Sequence, residues 1–244
     1  MGMVDFELAV QDTHGLRVAA RLGVDRVELG TALALGGLTP SRGLIETAVE
    51  TPGIPPVHVL VRPRPGGFDY EPDETTLILR DIRNVRAAGA AGIVVGGVRE
   101  GRVDADLVER VVAAAGELPV TFHRAFDTLA DPQRAVETLV PLGVRRILAS
   151  ATDLDRLAGA VDAAAGRIEI MAGGGVRPDL VDEIVRTGVD AIHASAKHTV
   201  GAPVGVTLGS SAQAGSQGRE TTDERQAAQI MATLRLAQAP RNHA

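Results

Sequence analysis

A closed (β/α)8 barrel, the TIM-barrel architecture, is the fold class that this sequence predicts. Three observations predict it. Short apolar strands alternate with longer amphipathic segments, the alternation runs eight times within 244 residues, and glycine recurs where a helix gives way to the next strand. The alternative is an open doubly wound sheet, but no G-x-G-x-x-G follows an early strand.

In chain order, Phe6–Val10 is the first apolar run and His14–Leu22 the first helix, closed by Gly23. Arg26–Leu29 leads into the turn Gly36–Ser41, whose serine suits the N-cap of Arg42–Glu50. Val57–Arg62 runs into the proline-stiffened loop Arg62-Pro63-Arg64-Pro65-Gly66-Gly67. The helix Thr75–Ala88 follows, with Leu77, Ile78, Ile82 and Val85 at three- and four-residue spacing before Gly89. Gly92–Val95 and Ala105–Ala115 form the fourth unit. Val120–His123 is the fifth strand, and Asp131-Pro132 opens the helix Pro132–Leu142 ahead of Gly143. Arg146–Ala149 pairs with Asp153–Ala164, and Ile168–Met171 with Pro178–Thr187, whose apolar stripe Leu180, Val181, Ile184, Val185 stops at Gly188. Ala191–Ala194 is the eighth strand. Thr221 and Glu224 have capping-box spacing at the start of Glu224–Ala237. Between them, 199–222 is rich in Gly, Ala, Ser and Gln, which predicts a mobile insertion serving as a lid or as a passive loop. Residues 1–244 are thus expected to be one barrel domain.

Composition narrows the function. Apolar residues make up 45% and aromatics 2%, so a core of small branched side chains is expected, with little aromatic surface for partners or nucleic-acid bases. The net charge of -6 argues against nucleic acid and anionic membranes. No apolar run approaches a membrane span and no signal peptide is visible, so a cytoplasmic protein is expected. There is no cysteine, hence no disulfide and no thiol chemistry, and Lys197 is the only lysine.

Barrel sites form at the C-terminal ends of the strands, and side chains alternate in direction along each strand. His58, Leu60 and Arg62 therefore share a face, as do Thr121 with His123, Glu169 with Met171 and Gly173, and His193 with Ser195. If these faces point inward, the mouth holds Glu28, Arg62, His123 and His193, with Glu7 and Glu169 deeper. Glu7 and Glu169 could instead form structural ion pairs. Arg62, Arg64 and Arg124 suggest a small anionic ligand, unless Arg64 and Arg124 only staple loops through Asp69, Glu71 or Asp127. Gly173-Gly174-Gly175 and Lys197 are candidates for an oxyanion or phosphate site after the seventh and eighth strands. His123 is the acid/base candidate because an unperturbed imidazole titrates near neutrality, with Glu28 in support. His123, His193 and Glu28 are also suitable ligand types for zinc, copper(II) or manganese, but no metal-ligand spacing motif is present.

These residues resemble the CutC family, named for copper homeostasis. The resemblance runs from Phe6 to Lys197 and rests on Glu28-Leu29, Gly36–Ser41, Val61-Arg62-Pro63-Arg64, Asp69-Tyr70, the segment Gly92-Ile93-Val94-Val95-Gly96, Thr121–Asp127, Arg146-Ile147-Leu148, Gly173–Val176 and His193-Ala194-Ser195-Ala196. It implies a (β/α)8 barrel, a cytoplasmic location, often a homodimer, and copper-ion binding. It also implies a functional cleft at Glu28, Arg62, His123, Arg124, Asp127 and His193. One departure bears on copper: the family commonly has cysteine directly after Glu-Leu, where this chain has Gly30. Copper(I) prefers sulfur, and Met1, Met3, Met171 and Met231 show no cluster in the sequence. Two readings follow, a copper-homeostasis protein and a lyase- or isomerase-type enzyme acting on a small anionic or phosphorylated substrate. The residues themselves favour the second.

Overall fold

The computed structural model describes residues 3–201 and 218–238. Eight parallel strands close into a barrel in chain order: β1 (Asp5–Val10), β2 (Arg26–Leu29), β3 (Val57–Leu60), β4 (Gly92–Val95), β5 (Val120–Phe122), β6 (Arg146–Ser150), β7 (Glu169–Gly173) and β8 (Ala191–Ala194). Closure is made by β1 on β8, in register from Asp5 opposite Ala191 to Leu8 opposite Ala194. The helices are α1 (Thr13–Leu22), α2 (Arg42–Val49), α3 (Pro72–Ala87), α4 (Ala105–Ala115), α5 (Pro132–Leu139), α6 (Leu154–Ala164), α7 (Val181–Arg186) and α8 (Glu224–Gln238). Among the described residues no helix is long and apolar enough to cross a membrane.

The βα loops end in a repeated device. Asp12, Asp104, Asp131 and Asp153 each accept an N–H three residues ahead, at 2.8–3.1 Å. Each cap satisfies a donor that the first turn would otherwise leave open, worth about 0.5–2 kcal/mol. At the other end of α1, Gly23 takes the left-handed conformation (φ 60°) and returns its N–H to Ala19.

Two kinds of core result. Phe6, Val27, Val59, Ile93, Phe122, Ile147 and Ile192 join helix residues such as Leu16, Ile78, Val111 and Ile184 in one large apolar cluster. The opposite strand faces line the barrel interior, where Leu148, Met171 and Ala191 form a small apolar cluster. The other strand residues there include the buried Glu7, Arg26, Glu28, His58 and Arg146 and the partly buried His193. A barrel interior is ordinarily filled by branched apolar side chains. Here charge replaces much of that layer, and the sheet makes room for it. Gly92 lies against the His58 ring, so a Cβ there would run into the imidazole. Gly92→Ala should therefore lower the urea midpoint by an amount equivalent to about 1–3 kcal/mol, the usual cost of overpacking.

Several elements differ from the sequence reading. The third strand ends at Leu60 rather than Arg62, and the fifth at Phe122 rather than His123, because the chain turns there. The third helix starts earlier, at Pro72, with Glu74 taking the N–H of Glu71. The seventh begins as a 3-10 turn, Pro178–Leu180, and α5 stops at Leu139. The last helix is capped by Asp223, which accepts from Arg225 and Gln226, while Thr221 bonds Asp12 instead. The ends of the 199–222 insertion are ordered. Lys197–Val200 and Arg219–Thr222 form an antiparallel ribbon, tied to the barrel where Gln11 donates to the Glu220 carbonyl. The rest of the mobile insertion read from the sequence, residues 202–217, lies outside the described residues. A second small ribbon, Val98–Arg99 with Arg102–Val103, was not anticipated.

Candidate active site at the mouth of the barrel

A cavity of about 310 Å³ opens at the C-terminal ends of the strands. Of the residues read from the sequence, Glu28, Arg62, His123, Arg124, His193, Gly174, Gly175 and Lys197 line it. Asp127 and Gly173 do not belong to its lining.

His193 and Glu28 meet because β1 lies between β8 and β2. Glu7 on β1 accepts from His193 Nδ1 at 2.7 Å, and its other oxygen is held by the Arg26 guanidinium. Burial pushes the Glu7 carboxyl up, but Arg26 and His193 outweigh it and hold it down at about 2. Glu28 has no such partner. Its Oε2 is buried and makes no hydrogen bond. Burial pushes its carboxyl up to about 7, with the Glu7 charge adding and His193 and Arg26 opposing. Burial works against the charged form of His193, yet the Glu28 and Glu7 carboxylates raise its pKa on balance. Ligand atoms of Glu7, Glu28 and His193 lie within 4.8 Å of one another. Glu28 and His193 are therefore two neighbouring groups whose pKa values are both raised, that of Glu28 to about 7.

His123 is different from the sequence expectation. Its Nδ1 accepts the Ala125 N–H at 3.1 Å, and its Nε2 is buried without a protein partner. Burial and the Arg62 charge lower its pKa to about 3, so the near-neutral titration expected from its type does not hold. Arg62 is also partly committed. Its Nη1 donates to the carbonyls of Leu35 and Gly37, and Nη2 to Gly66, which staples two loops together. Only its buried Nε lacks a partner. Arg64 is a loop staple, paired with Glu74 rather than with Asp69 or Glu71 side chains.

Arg124 stands at the rim. Asp127 fixes it through Nε at 2.7 Å and accepts the Ser150 N–H through its other oxygen. Asp127 thus positions Arg124 instead of facing the cavity. Gly174 lies under the guanidinium at φ 73°, where a Cβ would come within 2.5 Å of Nη1. The N–H groups of Gly174 and Gly175 donate to no acceptor among the described residues. Lys197 Nζ is engaged by Glu220 at 2.9 Å. Glu169 leaves the mouth altogether, because it starts β7 at the opposite end of the barrel. There it pairs with Arg145 and Arg146.

Sequence reasoning missed Arg26 and Arg146. Both start strands, and both send a guanidinium N–H to the Met171 sulfur, at 3.6 and 3.8 Å. Arg26 is two residues before Glu28, so its inward direction followed from the same alternation. Phe68, whose ring centroid is 4.8 Å from that of His123, also lines the cavity and carried no sequence signal.

The residues offer a poor copper(I) site. Gly30 replaces the family's usual cysteine, Met171 Sδ faces two guanidinium groups, and Met3 is exposed. A divalent ion on Glu7, Glu28 and His193 would have to share Glu7 with Arg26.

The CutC family model matches residues 4–198. A CutC family protein of Klebsiella pneumoniae is 43% identical over 202 residues, covering 80% of this chain and 81% of its own length. A crystal structure of a Streptococcus agalactiae CutC, whose name refers to copper homeostasis, superposes with a TM-score of 0.74 at 31% identity, covering 79% of this chain and 99% of that one. N-(5'-phosphoribosyl)anthranilate isomerase from Pyrococcus furiosus, at 12% identity, a TM-score of 0.59 and coverage of 96% and 100%, shares the fold alone. With a family match over most of its length and relatives near 40% identity, the chain belongs to the CutC family.

Proposed function

We propose that the barrel mouth is the active site of a lyase- or isomerase-type enzyme that moves protons on a small anionic, phosphorylated substrate. The observation that carries this reading is Glu28: a buried residue whose Oε2 has no hydrogen-bond partner among the described residues, beside His193, with a pKa raised to about 7. Leaving such a group unpaired costs stability, and a pKa at the working pH is what an acid/base catalyst needs. The anionic end of the substrate is assigned to Arg124 and the Gly174–Gly175 backbone. N–H groups in that loop that have no acceptor among the described residues, with a guanidinium held above them by Asp127, favour a phosphate dianion. Arg62 supplies positive field and holds the wall.

Copper handling is the reading the family name suggests, and the donor set favours it less, since the described residues that line the cavity offer only hard or borderline donors. One calorimetric experiment separates the two. Inorganic phosphate and a panel of sugar phosphates are titrated into the wild type and Arg124→Ala. Copper(I) is titrated anaerobically against a chromophoric chelator. The wild type should bind at least one phosphate, Arg124→Ala should bind it about 10-fold or more weakly, the scale of a charged hydrogen bond, and no stoichiometric sub-nanomolar copper(I) site should appear. A tight copper(I) site with no phosphate binding would reverse the assignment.

A further inference from the structure

We propose that the substrate is a phosphorylated α-hydroxycarbonyl compound, isomerised through an enediolate, with His123 as the neutral donor to the carbonyl oxygen and Glu28 as the base at carbon. This deepens the function proposed above and rests on it.

His123 carries the inference. A backbone N–H is always a donor, so the imidazole nitrogen facing Ala125 is an acceptor and has no proton. The neutral ring must then keep its proton on Nε2, which is buried in the cavity wall without an acceptor. Everything around the ring keeps it there. Gly96 leaves the space, since a Cβ would come within 2.5 Å of Nδ1, and Phe68 covers a face. Arg62 beside it opposes a second proton. A fixed, neutral N–H of this kind cannot serve as a general base. It can hold a carbonyl oxygen and the negative charge that grows there.

The remaining groups narrow the chemistry. The one lysine is bound to Glu220, so the amine needed to activate a carbonyl as an imine is engaged elsewhere. A cavity of about 310 Å³ is at the small end for ligand pockets. The step balances without a co-reactant. The Glu28 carboxylate takes the proton from the hydroxyl-bearing carbon, the C–H pair becomes the C=C bond, and the carbonyl pair moves onto the oxygen held by His123 Nε2–H. The His193 imidazolium gives a proton to that oxygen, and then takes one from the neighbouring hydroxyl. Glu28 returns its proton to the former carbonyl carbon. The carbonyl has moved by one position, and both residues are back in their starting states.

Two measurements test this. In the first, 2-phosphoglycolate, whose planar carboxylate imitates the enediolate, and inorganic phosphate are titrated into the wild type, His123→Ala and His123→Gln. The wild type should prefer 2-phosphoglycolate by about 10-fold or more. His123→Ala should lose most of that preference with phosphate affinity unchanged, while His123→Gln, which keeps an N–H, should retain it; one charged hydrogen bond has about this effect. In the second, nitrogen NMR of the wild-type protein should show His123 protonated at Nε2 alone from pH 5 to 8. A proton on Nδ1, a midpoint near 6.5, or an unchanged preference in His123→Ala would overturn the proposal. Phosphate binding without any preference would overturn it while leaving the anion site standing. Binding of neither ligand would remove the underlying function as well. The NMR result decides even if the variants fail to fold.

Discussion

Glu28→Gln should be more stable than the wild-type protein above pH 7, by about 3 kcal/mol. Burial raises the Glu28 pKa from 4.5 to about 7, so folding favours the protonated carboxyl. The wild type keeps this stability fully below pH 4.5 and loses it as pH rises through 7, with each pH unit between the two values costing about 1.4 kcal/mol. Glutamine has nearly the same shape and never ionises, so it escapes the loss. Part of the rise in the His193 pKa comes from the Glu28 charge and disappears with it. That part has the same sign, because a raised histidine also loses stability as pH rises. His58 and His123 act the other way. Burial lowers both to about 3, with Arg26 assisting at His58 and Arg62 at His123, so each costs stability as pH falls from 6.5 toward 3. The raw pH profile mixes these contributions, and the difference between wild type and variant separates out Glu28. Urea unfolding of both proteins at pH 5 and pH 8 is the measurement. A stability difference that does not grow between the two would show that Glu28 is not held against its charge. Gained stability together with lost turnover is the pattern expected of a residue retained for function.

The repeat was legible because it is written in local chemistry. Apolar strands, helical spacing and glycines such as Gly23 and Gly188 each depend on a few neighbouring residues. The closure of Asp5 onto Ala191 then followed from topology. The ribbon Lys197–Val200 with Arg219–Thr222 was illegible for the opposite reason. Its strands are polar and far apart in sequence, and their partners are tertiary ones such as Gln11 and Asp12.

The site divides in the same way. Glu28, Arg62, His123 and His193 were readable from alternation at strand ends, which gives direction but not hydrogen-bond partners. That Arg62 donates to Leu35, Gly37 and Gly66 depends on the path of two loops. That His123 is a neutral donor depends on one N–H, from Ala125, and on burial. Arg26 shows the limit most clearly. It lies in a predicted strand and shares a face with Glu28, but its significance appears only once β1 brings Glu7 opposite it.

Glu7→Leu should be the most destabilising single substitution in the interior, at about 3–5 kcal/mol. Glu7 is fully buried and is the acceptor of Arg26, itself 9% exposed. Removing the carboxylate leaves a guanidinium in the barrel with only the Met171 sulfur, a weak acceptor, at 3.6 Å. Arg26→Met should cost less, because His193 still bonds the remaining carboxylate. The double variant Glu7→Leu with Arg26→Met should recover much of the loss, since a buried pair replaced by apolar groups of similar volume is often neutral or better. The pH profile gives an independent check. The Glu7 pKa, held down at about 2, contributes stability that is present above 4.5 and lost as pH falls toward 2. Glu7→Leu should lose that acid limb. Urea midpoints of the three variants close the cycle, and additive single effects would mean that Arg26 and Glu7 are not coupled. Glu7 also holds the His193 Nδ1, so Arg26→Met should alter the His193 titration without touching its ring. A structural ion pair isolated from the site would leave that titration unchanged, whereas a barrel whose buried charges set the protonation of His193 must shift it.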